Sequence, residues 1–163
     1  MTVAEAVKTN AAPFVGMGQI VTAQPPTRLL SVLGSCIAVC VFHPRLKAAG
    51  MAHVVLPDSA GHSGSPGKFA DTSVPALLAE LEKLTGAKAG YQAKVAGGAS
   101  MFAASGPLQI GAANAAAVKA ALSKANVRIV AEHLGGGQGR RIEFDPLEGA
   151  LSIEIQGLPA IIL

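Results

Sequence analysis

LSVLGSCIAVCVFHPRLKAAGMAHVVLP, residues 30–57, holds two apolar runs on either side of a proline-containing turn. Residues 37–42 are continuously apolar and rich in β-branched side chains, which suits a strand buried on both faces. Residues 43–47 form the turn, and 50–56 the returning strand. Upstream, residues 28–33 read as another strand, broken at Gly34-Ser35 by a residue that tolerates positive φ. If Pro44-Arg45 is a two-residue loop, His43 pairs with Leu46 and the register carries Cys36 opposite His53. Directly opposed side chains share a face, with Cβ atoms ~4.5–5.5 Å apart. A one-residue slip would send the two to opposite faces.

A thiol beside an imidazole is an activated nucleophile. The ring takes the thiol proton and later returns one to the leaving group. Gly34 and Ser35 precede the cysteine and free backbone N–H groups that could stabilise an oxyanion. Ser31 is the nearest upstream hydroxyl able to orient the base, with Thr27 a weaker choice. Other readings of the same residues stand beside this one. A cysteine in an apolar strand is usually core, and Cys40, inside the run, fits that description best. A lone histidine beside a strand is more often structural. Cys36 and Cys40 with His53 or His43 could be taken for a metal set, but a Cys-x-x-x-Cys spacing on a strand does not converge on one ion, so no metal and no cofactor is expected.

Composition narrows the classes. The chain has 163 residues, enough for one domain with a real core; half are apolar and only 14% are charged. The net charge is +3, with no Lys or Arg run longer than Arg140-Arg141. Five Phe, one Tyr and no Trp make a base-stacking platform a poor fit, so no nucleic-acid partner is expected. On a strand, Cys36 and Cys40 would stand roughly 13 Å apart, too far for a disulfide. Free thiols point to a reducing compartment. No apolar run approaches the ~20 residues of a membrane span, so the expectation is a cytoplasmic protein with no membrane insertion.

Along the chain, residues 1–13 read as a flexible tail and 14–163 as a single catalytic domain. Residues 16–23 look like a strand ended by Pro25-Pro26. Residues 58–67 (DSAGHSGSPG) make a long polar loop of the kind that borders active sites. Residues 71–86 carry helical spacing, with Asp71, Thr72 and Ser73 as N-cap candidates and Gly86 as the stop. Asp58 and Asp71 could border the site, though a cap explains Asp71 more simply. Residues 91–96 form a strand ended by Gly97-Gly98, and 112–125 an Ala-rich helix with Val118 and Leu122 on its apolar stripe. Residues 127–134, 140–145 and 150–156 are strands, with Gly135-Gly136-Gly137 and Leu147-Glu148-Gly149 as hairpin turns between them. His62 and His133 read as surface residues. GGGQGR at 135–140 lacks the Gly-Lys-Ser/Thr ending of a phosphate loop and reads as a turn. The order argues for α+β: mixed, largely antiparallel sheets flanked by two or three helices.

LGSCIAVCVFHP, GMAHVVLPDS, GKFADTSV, AKVAGGASMF, IGAANAAAVK and GGGQGRRIEF, in that order, resemble the CheD family, the chemoreceptor glutamine deamidases of bacterial and archaeal chemotaxis. The likeness runs from about Gly16 to Ile155. It implies an α/β sandwich related to a glutamine-deamidating toxin domain, with Cys36 as nucleophile, His53 as base and a Thr shortly upstream of the Cys completing the triad. This chain departs there, with Leu30 and Ser31 at those positions, and only Ser31 supplies a hydroxyl. The implied substrate is a glutamine on the helical cytoplasmic region of chemoreceptors, and the implied further partner a CheC-type phosphatase. Two other readings remain: a catalytically weak regulatory module that mainly binds such a phosphatase, and a cysteine hydrolase or transglutaminase acting on other amides.

Overall fold

The computed structural model describes residues 3–7, 12–100 and 109–163. The Met101-Phe102 end of the AKVAGGASMF motif and residues 1–2 and 8–11 of the expected tail lie outside them. The strands are β1 (Val3–Val7), β2 (Ile20–Ala23), β3 (Leu29–Leu33), β4 (Ile37–His43), β5 (Ala48–Val54), β6 (Gln92–Gly97), β7 (Arg128–Leu134), β8 (Arg140–Asp145), β9 (Ala150–Glu154) and β10 (Ile161–Ile162). The helices are α1 (Ala70–Thr85) and α2 (Ile110–Lys124). β1 falls within the stretch expected as a tail; its backbone pairs in parallel with β2 instead.

Two sheets stack on each other, and the helices cover the larger one. The six-stranded sheet runs β1-β2-β5-β4-β6-β7, and the four-stranded sheet β10-β9-β8-β3. β4 sits inside the larger sheet, and every one of its residues is buried. Its alternation explains the unbroken apolar run. Ala38, Cys40 and Phe42 face the core between the two sheets, with Leu29, Leu33, Ile142, Phe144, Leu151 and Ile153 opposite. Ile37, Val39 and Val41 face the helices, against Val74, Leu77, Leu81, Val118 and Leu122. Fully burying one such Leu or Val contributes about 1.5–3 kcal/mol, so two cores fed by one strand dominate the stability.

The β4–β5 hairpin forms, but its loop is Pro44–Lys47, not Pro44-Arg45. Lys47 takes φ +55° and its N–H reaches His43 O at 3.0 Å. His43 therefore closes on Ala48, and His53 lies opposite Ala38 instead of Cys36. The loop grew by an even number of residues, so the two side chains keep a common face.

Three further expectations are corrected. Gly135-Gly136-Gly137 is not a hairpin turn: β7 runs parallel to β6 through the α2 crossover, and β8 belongs to the other sheet. Arg140 gathers that connection, donating to His133 O at 2.8 Å and to Gly135 O. His133 is accordingly half-buried, with Arg140 Nη1 at 2.8 Å from its Nδ1, and is not a free surface ring. The N-cap of α1 is Phe69, with no side-chain cap bond. Asp71 instead accepts from Ser59 N–H (3.0 Å) and Ser59 Oγ (2.7 Å), tethering the 58–67 loop, while Thr72 Oγ1 donates to Pro66 O at 2.6 Å.

Candidate active site

Gly34-Ser35-Cys36 is where the chain changes sheets. It leaves the four-stranded sheet at Leu33 and enters the six-stranded one at Ile37. Such a crossing cannot be a regular strand, which is the physical reason for the break at Gly34-Ser35. Ala99 N–H donates to Gly34 O, and Gly98 N–H donates to Cys36 O, each at 2.9 Å. Among the described residues, the N–H groups of Gly34, Ser35 and Cys36 donate to no backbone carbonyl.

The Gly97-Gly98 turn presses directly on this crossing. Gly97 takes φ +117°, and a Cβ there would run into Cys36 O. Gly97→Ala is expected to destabilise the protein by roughly 2–4 kcal/mol, from the strained dihedral and the backbone collision. Urea unfolding measures it, and a midpoint equal to wild type would contradict this account.

His53 comes from β5, with its backbone held on the β2 side: Gly18 N–H reaches His53 O at 2.8 Å and His53 N–H reaches Gln19 O at 3.1 Å. Its ring points into the space between the sheets, where Ser31 of β3 meets it. Ser31 Oγ and Val15 O each lie 3.0 Å from His53 Nδ1, and Ser31 Oγ donates to Val15 O at 2.8 Å. These partners fix the tautomer. Val15 O can only accept, and Ser31 has spent its hydrogen on Val15 O, so Nδ1 carries the proton. Nε2 is left with a free lone pair, the form a general base needs.

Cys36 and His53 sit one rung out of line on neighbouring segments of the same face. Diagonal neighbours of this kind are about 7–8 Å apart at the backbone, within reach of long or aromatic side chains. Cys36 is 9% exposed and Cys40 is fully buried, and both are free thiols. Burial pushes the Cys36 thiol above its ordinary value. Burial pushes Cys40 further, up to about 12, with the Lys94 ammonium offsetting part of it. His53 goes the other way: burial lowers it below the usual imidazole range, against the raising effect of its bond to Val15 O. The resting pair at neutral pH is thiol and neutral imidazole.

Of the residues singled out in the sequence, the fold gathers Ser31, Gly34, Ser35, Cys36 and His53. His43 turns away to the hairpin end, where its Nδ1 accepts Leu46 N–H at 3.2 Å and its ring meets Tyr91 edge-on. Among the described residues no cluster of His, Cys, Asp or Glu could hold a metal ion. Two contributors escaped the sequence. The Val15 carbonyl is a backbone atom and carries no residue-type signal. Asn114 of α2 is fully buried and donates to Ser35 O (3.2 Å) and Val55 O (2.9 Å). Its spacing from Val118 and Leu122 places it on the buried stripe, and that signal was readable.

The crossing thus sets a free thiol on the same sheet face as an imidazole held at Nδ1. Residues 55–155 match the family described as CheD chemotactic sensory transduction. A chemoreceptor glutamine deamidase CheD from Thermotoga maritima is 41% identical over 144 residues, 88% of this chain and 91% of that protein. Probable chemoreceptor glutamine deamidases CheD from Desulforamulus reducens (40% over 161 residues, 95% and 97% of the two chains) and Clostridium kluyveri (43% over 150 residues, 88% and 93%) are similar. The chain belongs to the CheD family. Among the described residues, no helix is long and apolar enough to cross a membrane.

Proposed function

We propose that residues 14–163 form a single catalytic unit that converts glutamine side chains of chemoreceptors to glutamate, with release of ammonia. The observation that carries this reading is the pair of contacts at His53 Nδ1, to Val15 O and to Ser31 Oγ, each at 3.0 Å. With Nδ1–H committed to Val15 O and Ser31 Oγ, Nε2 is the nitrogen available to the Cys36 thiol. Cys36 Sγ attacks the side-chain amide carbon as Nε2 takes its proton. The main-chain N–H groups of Gly34, Ser35 and Cys36 are the donors nearest the developing oxyanion. His53 returns the proton to the departing nitrogen, leaving a thioester on Cys36 and free ammonia. Water then gives a proton to Nε2 and its oxygen to the acyl carbon. The thiolate leaves, recovers the proton, and glutamate is released. No cofactor enters any step. A substrate on the cytoplasmic helices of receptors would place this chain in the cytoplasm.

The test is peptide mass mapping of a receptor cytoplasmic fragment after incubation with the protein. A gain of about one dalton at defined glutamines, with stoichiometric ammonia, is expected from hydrolysis of an amide to an acid. A larger, amine-dependent gain would mean transglutamination, and no change would end the proposal.

A second reading has one observation in its favour, the raised Cys36 thiol. It makes the chain a weak catalyst that mainly engages a CheC-type phosphatase. Iodoacetamide separates the two, because an inert module alkylates only in step with its thiolate fraction.

A further inference from the structure

We propose that Asn114 is a positioning residue that clamps the nucleophile's crossing to the base's strand. This rests on Cys36 and His53 acting as proposed above. The β4–β5 ladder carries its last pair at Ile37–Val54. Beyond that rung the two segments have no main-chain link to each other, and Cys36 sits at this open end. Cys36 lies one residue outside this last pair, and His53 one residue inside it, paired with Ala38. Asn114 spans the opening. Its Nδ2 donates to Ser35 O, next to Cys36, and to Val55 O, two residues beyond His53. One planar amide thereby fixes the separation of the two arms.

The anchor for the clamp is rigid. α2 is seated on the same turn that holds Cys36 O, because a Cβ at Gly111 would run into Gly98 O. Gly98 N–H in turn holds Cys36 O at 2.9 Å. Helix, turn and crossing therefore form one unit, and Asn114 is the side chain through which that unit grips β5.

The remaining atom of Asn114 argues that packing is not its purpose. Among the described residues, Oδ1 is buried without a hydrogen-bond partner. A buried acceptor left unpaired is a stability liability. An apolar side chain on this stripe, like Val118 and Leu122 at successive helical turns, would carry no such liability. What Leu cannot supply is the pair of donors.

Asn114→Leu keeps the volume, and Asn114→Ala removes it. Both are measured for kcat and KM on the receptor fragment, and for iodoacetamide alkylation of Cys36 against pH. In either variant kcat is expected to fall about 10- to 100-fold, the scale set by small misplacements of reacting groups, with KM within about twofold because the clamp acts on geometry and not on substrate contacts. Alkylation at pH 7 should slow about tenfold, and adding His53→Ala should then slow it no further, since the thiol has already lost its base. Alkylation reads the clamp with no receptor present, and Asn114→Leu serves if the Ala cavity unfolds the chain. Wild-type kcat and a wild-type alkylation profile in a folded variant, with Cys36→Ala inactive, would overturn the clamp alone. Full activity of Cys36→Ala would overturn the clamp and the nucleophile assignment together.

Discussion

Cys36→Ala is expected to lower ammonia release from the receptor fragment by about 10⁴-fold or more, the scale of losing a nucleophile from a unit of interacting groups, with a cooperative unfolding transition retained. The contrast with the other thiol makes this specific. Cys40 is 0% exposed and its thiol is pushed up to about 12, whereas Cys36 keeps 9% exposure at the end of the sheet crossing. Cys40 cannot present Sγ to a glutamine without opening the core between the sheets. Cys40→Ala should therefore leave the rate within about twofold while costing about 1 kcal/mol of stability, the scale of a small buried side chain. Coupled ammonia release and peptide mass mapping read both variants. If Cys36→Ala turns over at the wild-type rate, covalent chemistry is wrong. If Cys40→Ala is the inactive one, the assignment of the thiols is reversed. Cys36→Ser should also fail, because a hydroxyl is a far weaker nucleophile beside a neutral imidazole.

The sequence carried the parts of this site that depend on pattern and hid those that depend on packing. Residues 37–42 are apolar throughout because β4 feeds two cores, and that is visible without coordinates. The common face of Cys36 and His53 was legible too. The predicted register was off by two residues, and an even error preserves the face. Ser31 could be picked out as the hydroxyl on the inward side of β3, where Leu29 and Leu33 are buried with it. What sequence could not give was which sheet each strand joins. Gly135-Gly136-Gly137 has the composition of a hairpin turn, yet it connects two sheets, because β7 finds its partner in β6 across α2. Likewise Gly34-Ser35 reads as a strand break, and only the stacking of the sheets makes it a crossing. Val15 lies furthest from inspection: it enters through a carbonyl, placed by parallel pairing with β3 through Val15 N–H to Leu30 O at 2.7 Å.

His53→Ala is expected to cost about 10³- to 10⁴-fold in kcat, the range for loss of a positioned acid–base group that also activates the nucleophile. The pH dependence distinguishes its role from a merely structural one. Burial holds the imidazole below its ordinary range, and burial holds the Cys36 thiol above its own. Under the proposed chemistry the working form is neutral base with protonated thiol. Activity should therefore persist below about pH 6.5, the usual imidazole value, and then fall tenfold per unit as the ring gains a proton it cannot exchange for the thiol's. On the alkaline side no loss is expected through pH 8, because the thiol has not begun to ionise there. A preformed thiolate–imidazolium pair would behave oppositely, with alkylation already at its plateau in mild acid. In His53→Ala the acid limb should vanish, and alkylation of Cys36 should climb with thiolate alone, past pH 9. Ser31→Ala should sit between the extremes at about a tenfold loss, because the Val15 carbonyl still fixes Nδ1–H when one of its two partners is gone. Ser31→Thr, which restores the hydroxyl, should recover most of that loss. A Ser31→Ala rate equal to wild type would leave Val15 O as the sole orienter of the base.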